Sequence, residues 1–304
     1  MKKKLFIAGH NGMLGSAILR HVKNKNLRIL LANRKQLDLE DLNSVEKWFK
    51  KNKPDYVIIA AAKAGGIVDN SKFPVEYMLV NIKIQTNIIS LSHKYKVKKL
   101  IFIGSSCIYP KHSKTPIKES ELLKGELEPT NQWYALTKIH GVKMCEAYNK
   151  QYNSNFSCVM PTNLFGLNDK YGENSHVIPA LLKRIHQSAV NKDPHVKVWG
   201  DGTPKREFMY ADDCAKIICK ILFNKRYFKL INIGTGQDIT IKNLAQTICK
   251  IVGYNGKIRF EKKMPNGVKQ KTLDISKIKK INLNKLTNFE EALSITYQDF
   301  LKNN

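Results

Sequence analysis

The sequence predicts an α/β fold: a doubly wound parallel sheet with a smaller α/β unit woven into its second half. Three observations carry this reading. Short apolar or β-branched runs alternate with helical patterns through the first 165 residues. The strand-like runs are apolar almost without interruption, as in strands covered on both faces. Glycines follow the first run in a tight spacing, just before a helical pattern begins.

The elements follow in order. "KLFIAG" reads as the first strand, because its apolar run at residues 5–8 is too short for a leader peptide. "GMLGSAILRHVKN" is helical, with apolar positions at Met13, Leu14, Ala17, Ile18 and Val22. "LRILLA" is a strand, "DLNSVEKWFKKN" a helix, "YVIIAAA" a strand, "PVEYMLVNIKIQTNIISLSHKY" a helix and "KKLIFIGSS" a strand. A polar loop through residues 124–129 leads to the helix "NQWYALTKIHGVKMCEAYNKQY" and the strand "FSCVMPTNL". Beyond Leu164 the alternation loosens into a loop, the helix "HVIPALLKRIHQSAV", the stretch "VKVWGDGTPKREFMY", the helix "ADDCAKIICKILF" and the strand "KLINIGTG". "TIKNLAQTICKIVG", "KIRFEKK" and the amphipathic "NFEEALSITYQDFLKN" close the chain. The expected division is a sheet domain over 1–165 plus about 208–238, and a smaller domain over 166–207 and 239–304.

Composition narrows the function. A chain of 304 residues can bury a substantial core. No apolar run approaches the roughly 20 residues of a membrane span, so no membrane partner is expected. The six cysteines form no CxxC pair and no zinc spacing, which points to a reducing cytoplasm and no metal. The net charge of +27 raises nucleic acid as a partner. The excess is almost all lysine, spread from "MKKKL" to "DISKIKKINLNKL", whereas base-reading proteins favour arginine forks on one face. A solvated surface that attracts anionic substrates fits better, and nucleic acid is not expected.

Gly9, Gly12 and Gly15 stand in a G-x-x-G-x-x-G spacing between the first strand and the first helix, with Asn11, Met13 and Leu14 in the same turn. Glycines there allow a tight turn, close approach of backbone N–H groups to a pyrophosphate, and close helix–sheet packing. An NAD site usually offers a carboxylate about 20 residues on to hold the ribose. Here Asn33, Arg34 and Lys35 end the second strand, and Arg34 can fork onto a 2′-phosphate, so NADP is the expected cofactor.

Tyr134 and Lys138 lie four apart, on one helix face. An ammonium beside a phenol favours the phenolate, so the sequence leads one to expect a lowered tyrosine pKa. Ser105, at the end of "LIFIGSS", can orient a carbonyl beside Tyr134. Serine, tyrosine, lysine and a nicotinamide together make a ketone-reduction site.

The segments "FIAGHNGMLGSAI", "AAAKAGGI", "GSSCIYP", "LEPTNQWYALTKI", "MPTNLFG", "NSHVIPALL" and "VWGDGTPKREF" run through most of the chain. On them the sequence resembles the extended short-chain dehydrogenase/reductase family, and within it the epimerase–reductases of GDP-sugars. The resemblance implies a Rossmann domain for NADP(H) and a nucleotide-sugar domain. It implies NADPH-dependent conversion of GDP-4-keto-6-deoxy-D-mannose to GDP-L-fucose. Cys107 matches the family's base and His176 its acid. Ala62, Lys138, Pro161, Asn163, Leu164 and His176 match positions near the cofactor. Arg184, Trp199, Arg206 and Asn266 match contacts to the GDP portion. Asn11 and Asn266 depart from the pattern, standing where similar sequences often carry a basic residue and an aspartate. Relatives pair through the two long helices, which implies a homodimer. A 4,6-dehydratase would carry an Asp-Glu pair where this chain has Ser106-Cys107. The rivals are a reductase of a related GDP-4-keto-6-deoxy sugar such as a heptose, with one epimerisation or none, and a non-catalytic NADP-binding regulator.

Overall fold

The computed structural model describes residues 2–23, 25–172, 175–224, 227–263, 268–281 and 285–303. The first half runs β1 (Lys3–Ala8), α1 (Met13–Val22), β2 (Leu27–Leu30), α2 (Leu42–Asn52), β3 (Tyr56–Ile59), α3 (Ile67–Lys72), α4 (Pro74–Lys94), β4 (Lys99–Ile103), α5 (Gln132–Tyr152) and β5 (Phe156–Pro161). The second continues with β6 (Asn163–Phe165), α6 (Val177–Val190), β7 (His195–Trp199), β8 (Lys205–Arg206), β9 (Phe208–Tyr210), α7 (Ala211–Phe223) and β10 (Leu230–Ile233). It ends with β11 (Ile239–Thr240), α8 (Ile241–Val252), β12 (Lys257–Glu261), β13 (Gln270–Lys271), α9 (Ser276–Lys279) and α10 (Phe289–Asn303).

Six strands form one parallel sheet in the order β10-β5-β4-β3-β1-β2. Strand periodicity splits each apolar run between the two faces. Phe6, Val57, Ile59, Leu100 and Phe102 point to one core, under Val45 and Phe49 of α2, Ile88 of α4 and Ala135 and Val142 of α5. Leu5, Ile7, Ile58, Ile101 and Ile103 point to the other, under Ala17 and Ile18 of α1 and Ile217, Ile218 and Ile221 of α7. Both faces being covered explains why these strands lack the polar alternation of a half-exposed sheet.

A third core joins α6, α8 and α10 to β7 and β12 through Leu181, Leu182, Ile185, Val196, Val198, Leu244, Ile248 and Leu293. The parallel pair β7–β12 and the three-stranded sheet β11-β8-β13 belong to this half of the chain. Ile278 and Ile281, late in the chain, pack back onto the central sheet.

From β1 the chain passes to β2 on one side and to β3 on the other. That reversal makes the carboxyl ends of β1 and β3 the switch point, where open α/β sheets bind ligands. Ala60–Ala62 fall outside β3, extending the apolar run onto this rim.

Candidate active site

The three glycines of the first turn are held for different reasons. Gly9 has φ +86°, and a Cβ on it would come within 2.5 Å of the Ala61 nitrogen. A Cβ on Gly15 would reach 2.0 Å from the Gly9 oxygen, so close packing of α1 requires glycine there. Gly12 is different: its φ is −78°, its Cβ would meet only the Gly9 oxygen at 3.5 Å, and it is exposed. No steric contact among the described residues demands glycine at position 12; a ligand approaching the backbone would. Gly12 also caps α1 without a side-chain bond to the free N–H groups, which suits an anion. Asn11 is exposed beside it, and Met13 and Leu14 pack their side chains onto the sheet. The turn therefore fits a dinucleotide pyrophosphate.

The other cofactor candidates lie on the same rim. Ala62 follows β3, Pro161 ends β5, and Asn163 and Leu164 belong to β6. Arg34 lies past the end of β2, with its side chain 83% exposed and its guanidinium 3.0 Å from Glu40 Oε1.

Four of the five predicted catalytic residues converge. Lys138 is buried on α5, and its Nζ donates to the carbonyl of Ile103, the last residue of β4, at 2.8 Å. This bond ties α5 to the strand whose end carries Ser105. The ammonium also lies 5.1 Å from the Phe102 ring centroid and 5.5 Å from that of Tyr134. Ser105 Oγ accepts the backbone N–H of Cys107 at 3.3 Å, and its hydroxyl also bonds the Cys107 side chain. Cys107 is 7% exposed, in a short 3₁₀ turn over Ser106–Ile108. The Tyr77 ring stands edge-on to Tyr134 at 6.3 Å and is anchored by its hydroxyl donating to Asp69 at 2.8 Å.

The electrostatics correct one expectation. Burial drives the Tyr134 phenol up, with charge on Cys107 and Tyr77 adding to it, so desolvation outweighs the nearby ammonium. The tyrosine is held protonated, the form that donates to a developing alkoxide. Burial lowers Lys138 to about 8, opposed by charge on Cys107. Burial raises the Cys107 thiol, while Lys271, the Ser105 hydroxyl and Lys138 favour its thiolate.

His176, the fifth residue, caps the start of α6 without a side-chain capping bond. Among the described residues no hydrogen bond joins its ring to Cys107 or Tyr134. Its surface is solvent-accessible, yet surrounding protein lowers its pKa by desolvation.

The predicted substrate contacts fall into two groups. Arg184 lies over the Trp199 ring at 5.5 Å and donates to the Lys197 carbonyl at 2.9 Å; Trp199 is 41% exposed. Arg206 lies on β8, in register with Lys271 of the parallel β13, so both side chains project from one face. Burial lowers both, Cys107 and Glu128 pull Lys271 back up, and Glu128 does the same for Arg206. Lys271 thus brings a second cation to the Arg206 side of the site, facing the thiol. A cavity of about 570 Å³ opens beside it, lined in part by Lys111, His112, Lys114, Glu128, Lys269 and Gln270. Asn266 lies outside the described residues.

Two residues of this region escaped the sequence reading. Lys271 was one lysine among many, and only strand pairing distinguishes it. Glu207 is fully buried between Arg206 and Phe208. A lone carboxylate opening an apolar strand was the signal available.

The chain matches the NAD dependent epimerase/dehydratase family over residues 5–234. It is 45% identical to a GDP-L-fucose synthase of Escherichia coli (strain K12), over 99% of this chain and 98% of that one. A crystal structure of a GDP-L-fucose synthetase from Naegleria fowleri bound to NADP superposes with a TM-score of 0.92 at 28% identity, covering 100% and 95% of the two chains. A GDP-6-OMe-4-keto-L-xylo-heptose reductase from C. jejuni superposes with a TM-score of 0.90 at 30% identity, covering 100% and 99%. With the glycine turn at a parallel-sheet switch point and the tyrosine–lysine pair at the neighbouring strand end, these matches lead to one assignment: the chain belongs to the NAD dependent epimerase/dehydratase family.

Proposed function

We propose that this protein uses NADPH to convert GDP-4-keto-6-deoxy-D-mannose to GDP-L-fucose, inverting the two carbons that flank the ketone and reducing the ketone itself. The observation that carries the reading is the buried thiol of Cys107, hydrogen-bonded through its backbone to Ser105 and electrostatically linked to Tyr134 and Lys138. A plain ketone reductase has no use for that thiol. Identity of 45% with a GDP-L-fucose synthase supports the same reading.

The ketone acidifies the protons at positions 3 and 5. Cys107 removes each as a thiolate, the form that Lys271 and Lys138 favour against burial. The Ser105 hydroxyl and the protonated Tyr134 donate to the enolate oxygen as it gains charge. His176 returns a proton from the other face, and its lowered pKa makes its imidazolium the stronger acid. Bound at the glycine turn, NADPH supplies hydride to the ketone carbon. Tyr134 gives its proton to the resulting alkoxide, and Lys138 holds the tyrosine against the strand end through the Ile103 carbonyl. Arg206 and Lys271 face the diphosphate, and Arg184 with Trp199 faces the nucleoside.

Further features of the reading are a cytoplasmic location, a homodimer paired through α4 and α5, and domains of 1–165 with about 208–238 and of 166–207 with 239–304. No helix among the described residues is long and apolar enough to cross a membrane. The test is incubation with NADPH and the keto-sugar in deuterated water. Deuterium at two ring positions is expected; one position or none favours the related-sugar reductase, and no turnover favours a cofactor-binding regulator. Cys107→Ser keeps cofactor binding and loses the exchange, whereas unchanged exchange removes Cys107 from the mechanism.

A further inference from the structure

We infer that Glu207 is a positioning residue that sets the diphosphate-facing cations Arg206 and Lys271, an inference that rests on the GDP-sugar reading. Its side chain is fully buried, and a buried carboxylate is tolerated only when its lone pairs are filled. They are filled from two distant segments. Oε1 accepts the N–H of Thr235 at 2.6 Å and of Gly236 at 2.7 Å, in the turn that follows β10, together with the Thr235 hydroxyl at 3.3 Å. Oε2 accepts the N–H of Leu273 at 2.8 Å, two residues beyond Lys271. The space is fitted to it, since a Cβ on Gly234 would come within 2.2 Å of Oε1.

Its backbone carbonyl forms a third tie, accepting the Thr162 hydroxyl at 3.1 Å and the Asn163 amide at 2.9 Å. Glu207 therefore fixes three pieces together: the ends of β5 and β10 on the central sheet, the β8–β9 junction, and the strand leading out of β13. Arg206 is its immediate neighbour, and Lys271 pairs with Arg206 across only two residues of ladder. A two-residue ladder does not hold its own register. Bonds from Ile117 and to Asp238 also hold residues 270–274, but the carboxylate is the tie that joins Leu273 to the residue next to Arg206. Because its bonds to Thr235, Gly236 and Leu273 all require an acceptor on each oxygen, neutral glutamine cannot replace it: one side would set an N–H₂ against an N–H.

The test compares Glu207→Gln and Glu207→Asp with the unaltered protein. Inorganic pyrophosphate, titrated calorimetrically into the NADPH-saturated protein so that the glycine turn is occupied, is the probe of the cation pair. We expect its dissociation constant to rise at least fivefold in both variants. The KM for the keto-sugar should rise tenfold or more while NADPH affinity stays within twofold, and the Cys107-dependent proton exchange should slow as well, since Lys271 also favours the thiolate. Aspartate keeps the charge but is one methylene too short to reach Gly236 and Leu273 together. A lower melting temperature with unchanged pyrophosphate affinity and KM overturns the inference. If neither variant folds, hydrogen exchange in the unaltered protein decides: pyrophosphate must slow the amides of Thr235 and Gly236 as well as Leu273, and slowing confined to 271–273 overturns it. Failure to turn over the keto-sugar while pyrophosphate results hold would count against the substrate reading alone.

Discussion

Lys138 illustrates how a site residue can oppose the fold that holds it. Its ammonium is buried, and its pKa falls from 10.5 to about 8. The folded state therefore binds its proton less tightly than the unfolded chain does. Below pH 8 both states are protonated and the folding cost is fully present. As pH rises from 8 towards 10.5 the folded lysine sheds its proton first, and the cost disappears. The gap corresponds to about 3 kcal/mol. Lys138→Met removes this titration while keeping similar length. The stability of the unaltered protein relative to Lys138→Met should thus increase by about 3 kcal/mol between pH 7 and pH 10.5, read by urea melts at each pH. A flat difference would mean the lysine is solvated. The same titration predicts an alkaline fall in kcat/KM with an apparent pKa near 8, since the role proposed for Lys138 needs its charge.

At the scale of elements, the first turn separates folding from function within one motif. Gly15→Ala places a methyl against the Gly9 carbonyl and should destabilise by roughly 1–3 kcal/mol. Gly12→Ala meets only ordinary contact at a backbone conformation alanine adopts, and because alanine is a poorer N-cap than glycine the change should cost no more than about 1 kcal/mol. Its methyl would instead stand in the path of the pyrophosphate and weaken NADPH binding tenfold or more, about 1.4 kcal/mol. Thermal melts and cofactor titration on both variants check the split; unchanged NADPH affinity in Gly12→Ala would return that glycine to a purely structural role. This turn was legible in the sequence because strand, glycines and helix are contiguous. So were the long helices and buried strands, whose periods repeat over five to twenty residues. The pairing of Arg206 with Lys271 was not, since two-residue strands 65 positions apart leave no periodic trace. Nor was the charge state of Tyr134, because spacing reports the neighbouring ammonium but not the depth of burial that overrides it.

For the whole molecule, the dimer proposed above must form against a large like charge. Five large hydrophobic side chains stay exposed on the two candidate helices: Val75 and Leu79 of α4, and Trp133, Leu136 and Tyr152 of α5. Burying what each still exposes would yield roughly 0.5–1.5 kcal/mol, enough together to drive pairing. Opposing it, each copy carries +27, and this repulsion acts between whole surfaces. Salt screens that repulsion over about 10 Å at 0.1 M and leaves apolar burial intact. Self-association should therefore tighten as salt rises from 20 to 300 mM, the reverse of an interface held by ion pairs. Sedimentation velocity on the 34.8 kDa chain reads the outcome directly. Leu79→Glu places a charge in the apolar patch and should yield monomer at every salt concentration. It should keep cofactor binding, because the glycine turn and the tyrosine–lysine pair come from a single chain. A protein that stays monomeric at high salt, or a Leu79→Glu variant that still pairs, moves the interface away from α4 and α5.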